Sequence, residues 1–93
     1  MQLKPAQING IDGLGIAVVS ETRQGLKECR GYFISSQNKS LASLINESHS
    51  KFSGTLYDAG RETNLTFSVV VTEVRDNRAE FVASGDPYKG LSK

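Results

Sequence analysis

The sequence predicts a single small α+β domain: an antiparallel sheet of five or six strands with one helix packed on one face. Three observations carry that expectation. The chain has 93 residues, one domain's worth, with no room for a second core. Nine glycines and several Asn/Asp/Ser clusters cut it into short β-branched pieces, as expected for strands joined by tight connections. One segment alone, Ser40 to Ser50, has helical spacing of apolar residues.

Composition bounds the rest. Apolar residues make up 38%, enough for one layer between a sheet and a helix but lean for a core with two sides. A domain of this size buries roughly 60–65% of the surface its unfolded chain exposes, so it is marginally stable alone. Charged residues make up 23% and the net charge is +1, with the signs interleaved. Counter-ion release, the main sequence-independent source of nucleic-acid affinity, needs a concentrated basic surface, and this composition lacks one. Cys29 is the single cysteine, so no disulfide forms within the chain, whereas small secreted domains depend on such staples. Met1-Gln2-Leu3-Lys4-Pro5 lacks the apolar run of a signal peptide, and no stretch approaches the ~18 apolar residues of a membrane span. The expected setting is a reducing cytoplasm, where the Asn-X-Ser/Thr triplets at Asn38, Asn46 and Asn64 are chance matches.

Along the chain, residues 1–84 are expected to form the domain and 85–93 a flexible tail. Gln2 to Ile8 is a first strand or an irregular arm, with Pro5 suited only to an edge. Asn9 to Gly13 is a turn-rich break. Gly15 to Ser20 and Leu26 to Ser35 read as a hairpin, with Cys29 and Phe33 on one face and Arg30, Tyr32 and Ile34 on the other.

For the helix, Ser40 is the expected N-cap. Leu41, Leu44 and Ile45 form its apolar stripe, and His49 lies near its positive-favouring end. Phe52 to Asp58, a loop over Ala59 to Thr63, and the strands Asn64 to Val74 and Arg78 to Ser84 follow.

Register fixes which face each side chain occupies. A two-residue turn at Asp76-Asn77 sets Glu73 against Glu80 and Arg75 against Arg78, and like charges directly opposite are unfavourable. A three-residue loop, Arg75-Asp76-Asn77 with Asn77 left-handed, pairs Val74 with Arg78, Val70 with Val82, and Val71 with Phe81. It collects Leu65, Phe67, Val69, Val71, Ala79, Phe81 and Ala83 on one apolar face. The three-residue loop is therefore expected. The opposite face then carries Thr66, Ser68, Val70, Thr72 and Val74 with Arg78, Glu80 and Val82: polar with a valine cluster, and less charged than a fully solvated face. Val70, Thr72, Val74 and Val82 are the candidate interface.

Catalytic and metal chemistry find little support. Ser48, His49 and Ser50 are chain neighbours, which on a helix point about 100° apart. A Cys29–His49 pair needs the fold to bring it together, and one His with one Cys cannot build a zinc site unless carboxylates complete it. Glu73/Glu80 and Asp58/Glu62 are the candidate carboxylate pairs; the preferred register separates the first, and the second brackets a solvated loop. Gly10 to Gly15 matches neither phosphate-loop pattern and reads as a turn entering a strand. No catalytic residue, cofactor or metal is expected.

The leading function is a non-enzymatic interaction module that binds a partner protein or itself through a sheet face or edge, with no membrane association. The alternative is nucleic-acid binding through residues 23–33. There Arg23, Lys27, Arg30 and Tyr32 interleave basic and aromatic side chains, as base-stacking sheets do. Arg30-Gly31-Tyr32 echoes the aromatic strand of the RNA-recognition motif, although the helix count does not fit that fold. A small enzyme using His49 or Cys29 is the second alternative.

Overall fold

The computed structural model describes residues 2–36, 40–47 and 49–84. It corrects the fold class: the chain is an antiparallel barrel, and of the described residues 70% are strand and none lies in a helix of seven residues or more. The strands are β1 (Lys4–Ile8), β2 (Ile11–Glu21), β3 (Lys27–Ser35), β4 (Ser50–Asp58), β5 (Arg61–Arg75) and β6 (Arg78–Ala83). They close in the order β1-β2-β3-β6-β5-β4. The expected tail, 85–93, lies outside the described residues, as does Ser48.

Closure is made by two short seams. β1 pairs with β4 only at Gln7↔Ser53 and Ile8↔Phe52, so Pro5 sits where the strand has one neighbour, locally an edge. Further along, β2 takes over from β1 and runs parallel to β4 at Ala17↔Leu56, Val18↔Tyr57 and Val19↔Asp58. Asn9 locks the first seam. Its backbone N–H donates to the Lys51 carbonyl at 2.9 Å, its Oδ1 accepts from the Lys51 N–H at 2.8 Å, and its Nδ2 donates to Ser50 Oγ at 3.3 Å. With φ values of 50° and 82°, Asn9 and Gly10 are both left-handed, the geometry of a two-residue hairpin turn matched to strand twist.

The interior is filled by phenylalanines alternating with small residues, which suits the taper of a small barrel. One layer runs Gly15–Phe33–Ala79–Val74 across β2, β3, β6 and β5, and the next runs Ala17–Gly31–Phe81–Val71. Phe33, Phe52 and Phe81 are fully buried. The Phe52 ring lies 4.6 Å from Phe81 and edge-on to Phe67 at 5.6 Å. A Cβ on Gly54 would lie 2.9 Å from the Phe52 ring, and one on Gly31 would overlap the Phe81 ring. These glycines therefore make room for aromatic rings and are not turn residues.

The expected helix is replaced by one 3₁₀ turn, Ala42–Asn46. Three residues per turn eclipse positions i and i+3, so Leu41 (0% exposed) and Leu44 (3%) plug the barrel end together. Ile45, one position further, swings out to 45% exposure. Ser40 Oγ accepts from the Ala42 N–H at 3.2 Å, and Leu41 N–H donates to the Asp76 carbonyl at 2.9 Å, tying the turn to the β5–β6 corner. A sheet that closes on itself buries its own apolar face, so no covering helix is required.

The β5–β6 hairpin reconciles both sequence registers. Near the corner the connection is the two-residue one: Arg75↔Arg78, Val74↔Ala79, Glu73↔Glu80. Asp76, not Asn77 as expected, takes the left-handed conformation (φ 54°). A bulge between Val71 and Glu73 then absorbs one residue, and Val71↔Phe81, Val70↔Val82 and Val69↔Ala83 follow as expected. The cause is packing. Without the bulge Val74 points outward; with it Val74 packs against the core, and the like-charged rungs are displaced to the surface.

Candidate functional site

The outer wall made by β2, β3, β6 and β5 holds most of the residues singled out in the sequence. Side chains alternate faces, and the register sets three outer rungs. The first is Leu14–Ile34–Arg78–Arg75, the second Ile16–Tyr32–Glu80–Glu73, and the third Val18–Arg30–Val82–Val70. Leu14 is 44% exposed, and Ile34, Tyr32, Val18, Val82 and Val70 are half-buried. Ile16 is buried yet lies outside the core cluster. The wall is thus an apolar strip crossed by charged side chains.

Of the four candidate interface residues, Val70 and Val82 lie side by side on this wall, as expected. Thr72 stands at the bulge, exposed, its Oγ1 donating to the Glu80 carbonyl at 3.3 Å. Val74 leaves the face for the core, moved by the same bulge. Leu14, Ile34 and Val18 join the wall instead. The strand alternation of β2 and β3 placed them there, but Leu14 sits inside a glycine-rich stretch that reads as a turn.

The Glu73–Glu80 pair, expected on opposite faces, is brought together on one rung. Beside it is the Arg75–Arg78 rung. Tyr32, Ala79 and these four charged residues line a shallow concavity of about 360 Å³. Arg75 Nε donates to Glu73 Oε2 at 3.0 Å in an exposed pair, whereas Arg78 and Glu80 have no ion pair among the described residues.

The basic–aromatic segment is dispersed. Arg23 is exposed on the β2–β3 connection and Lys27 at the start of β3, while Arg30 and Tyr32 lie on adjacent rungs of the wall. Arg30 faces Glu28 on its own strand at 3.6 Å. The charges around Tyr32 are therefore mixed in sign.

The Cys29–His49 pairing acquires no site. Cys29 points into the barrel, and its thiol is pushed up to about 11, first by burial and then by the nearby Asp58 carboxylate. A thiol held protonated is a poor nucleophile. His49 is exposed, between the 3₁₀ turn and β4. Asp58 and Arg61 flank a two-residue corner, Ala59-Gly60, instead of the expected longer loop, so Glu62 stands one rung on, opposite Tyr57, and pairs with Lys4 at 3.5 Å. Among the described residues no group of three His, Cys, Asp or Glu side chains could hold a metal ion, and no helix is long and apolar enough to cross a membrane.

The fold and this wall define a small closed antiparallel barrel with a mixed apolar and charged outer surface. Compared with protein-family models, curated proteins and solved structures, the chain matches none.

Proposed function

We propose that the chain is a non-enzymatic interaction module that docks a protein, another chain or its own copy, through the outer wall of β2, β3, β6 and β5. One observation carries the reading. The barrel interior is already filled, yet Leu14, Ile34, Tyr32, Val18, Val82 and Val70 remain as an apolar strip on the outside. Contiguous apolar surface beyond the interior mark interaction sites in small soluble domains. Barrel closure removes the open sheet edge as a docking feature, so the wall takes that role. A single buried thiol suits a reducing, cytoplasmic setting.

The test is site-specific photo-crosslinking in the cell that makes the chain. A photoreactive residue replacing Tyr32 is expected to capture protein, either this chain or another, while the same residue at Thr66 on the polar side of the barrel captures none. Equal silence at both positions sinks the reading. Capture of RNA or DNA at Tyr32 transfers the wall to nucleic-acid binding.

A further inference from the structure

We infer that the occupant of this wall is a second copy of the chain, docked about a twofold axis that passes between the two charged rungs; the inference rests on the docking reading above. An isologous interface needs a patch that is complementary to itself. Two adjacent rungs of opposite sign, each carrying its charges on the same two strands, meet that condition. An axis lying in the interface and perpendicular to the strands exchanges the rungs. Arg75 then lies over the partner's Glu73, and Arg78 over the partner's Glu80. The same operation sets Tyr32 against the partner's Ile34, which gives the charges an apolar flank.

The monomer itself argues for this occupant. Like charges directly opposite on neighbouring strands are destabilising, and here two such rungs stand in succession, Arg75↔Arg78 and Glu73↔Glu80. Among these four side chains the one close pair within a chain is Arg75 with Glu73, an exposed contact of small value. Arg78 and Glu80 have no ion pair among the described residues. A second copy in this arrangement supplies both with partners and converts two repulsive rungs into a network of eight alternating charges. Bulges re-aim side chains at functional surfaces, and the one at Thr72 is what turns Glu73 and Arg75 outward, beside the outward Arg78 and Glu80 of β6.

Sedimentation of the full chain between about 10 µM and 1 mM tests the idea, with charge swaps as the decisive arm. The wild-type chain is expected to form a dimer that weakens with added salt. The Arg75→Glu/Arg78→Glu variant makes the patch all acidic, and the Glu73→Arg/Glu80→Arg variant makes it all basic. Each alone is expected to lose at least about a hundredfold in self-affinity, since like-charge juxtaposition costs several kcal/mol. Mixed together they are expected to form a one-to-one heterodimer, which a misfolded variant cannot do. A wild-type chain that stays monomeric throughout overturns the inference, and so does a dimer indifferent to both swaps. If Tyr32 crosslinks capture a different protein while the chain stays monomeric, the docking reading stands and the second copy is excluded.

Discussion

The two sides of the barrel finish their surfaces differently. On the side of β1, β4 and the first half of β5, outward polar groups satisfy one another. Thr66 Oγ1 donates to Ser53 Oγ at 2.9 Å, Thr55 Oγ1 to Asn64 Oδ1 at 3.3 Å, and Gln7 Nε2 to Asp12 Oδ1 at 2.7 Å. Lys4 meets Glu62 at 3.5 Å. On the side of β2, β3, β6 and the second half of β5, the outward groups are valines, Ile34, Leu14 and Tyr32, with like-charged rungs between them. The first wall is complete in the isolated chain. On the docking reading proposed above, the second gains from a partner, because its apolar strip and its repulsive rungs would both be improved by contact. The same inward layer of phenylalanines supports both, so the difference is made entirely by the outward half of each strand's alternation.

Four perturbations break or sharpen that comparison. The largest effect is expected beneath both walls. Phe52→Ala removes a fully buried ring in contact with Phe67 and Phe81 and is expected to cost about 3–5 kcal/mol in urea unfolding, close to the whole stability of a domain this small. Second, Gly31→Ala strikes the docking wall from inside by pushing a methyl group into the Phe81 ring. A loss of about 1–3 kcal/mol is expected from overpacking, and adding Phe81→Leu is expected to recover part of it. A Gly31→Ala chain as stable as wild type contradicts this packing.

Third, lysine at one valine on each face of the β5–β6 hairpin separates core from wall. Val74→Lys buries a charge-bearing chain against the core and is expected to destabilise by about 2–3 kcal/mol. Val82→Lys is expected to change unfolding by at most about 1 kcal/mol while disrupting docking. Equal costs at the two sites would restore the bulge-free register.

The smallest effect concerns Cys29. With its pKa raised from 9.0 to about 11, native-state alkylation at pH 8 is expected to run about a hundredfold slower than in the denatured chain, in proportion to thiolate fraction. The sign for stability follows by linkage. Below pH 9 the thiol is protonated in both states; above it the unfolded chain releases the proton first, so stability falls as pH rises toward 11. Cys29→Ala is expected to remove this part of the pH dependence, read as the difference between the two unfolding profiles.

Much of the strand content was legible because alternation is local. Cys29 and Phe33 share the interior while Arg30, Tyr32 and Ile34 share the outside, as the residues of β3 imply. The pairing of Val70 with Val82 was legible too, since the apolar face selects it. The helix was misread because Leu41, Leu44 and Ile45 satisfy helical spacing, and i, i+3 spacing fits a 3₁₀ turn equally well. Gly13, expected in the Asn9–Gly13 turn, belongs instead to β2. Gly13, Gly15, Gly31 and Gly54 lie within strands, and what they accommodate comes from other strands or from ring positions that local pattern does not encode.

The sequence by itself determined the strand alternation, the absence of any disulfide within the chain and the apolar pairing at the centre of the β5–β6 hairpin, all consequences of neighbouring residues and composition. Tertiary structure alone decided that the sheet closes, that the extra residue of that hairpin is absorbed at Thr72 and that Val74 turns inward. Those outcomes depend on the volume inside the barrel. The interior has space for Val74 beside Ala79, and filling it outweighs the repulsion of two like-charged rungs at the surface.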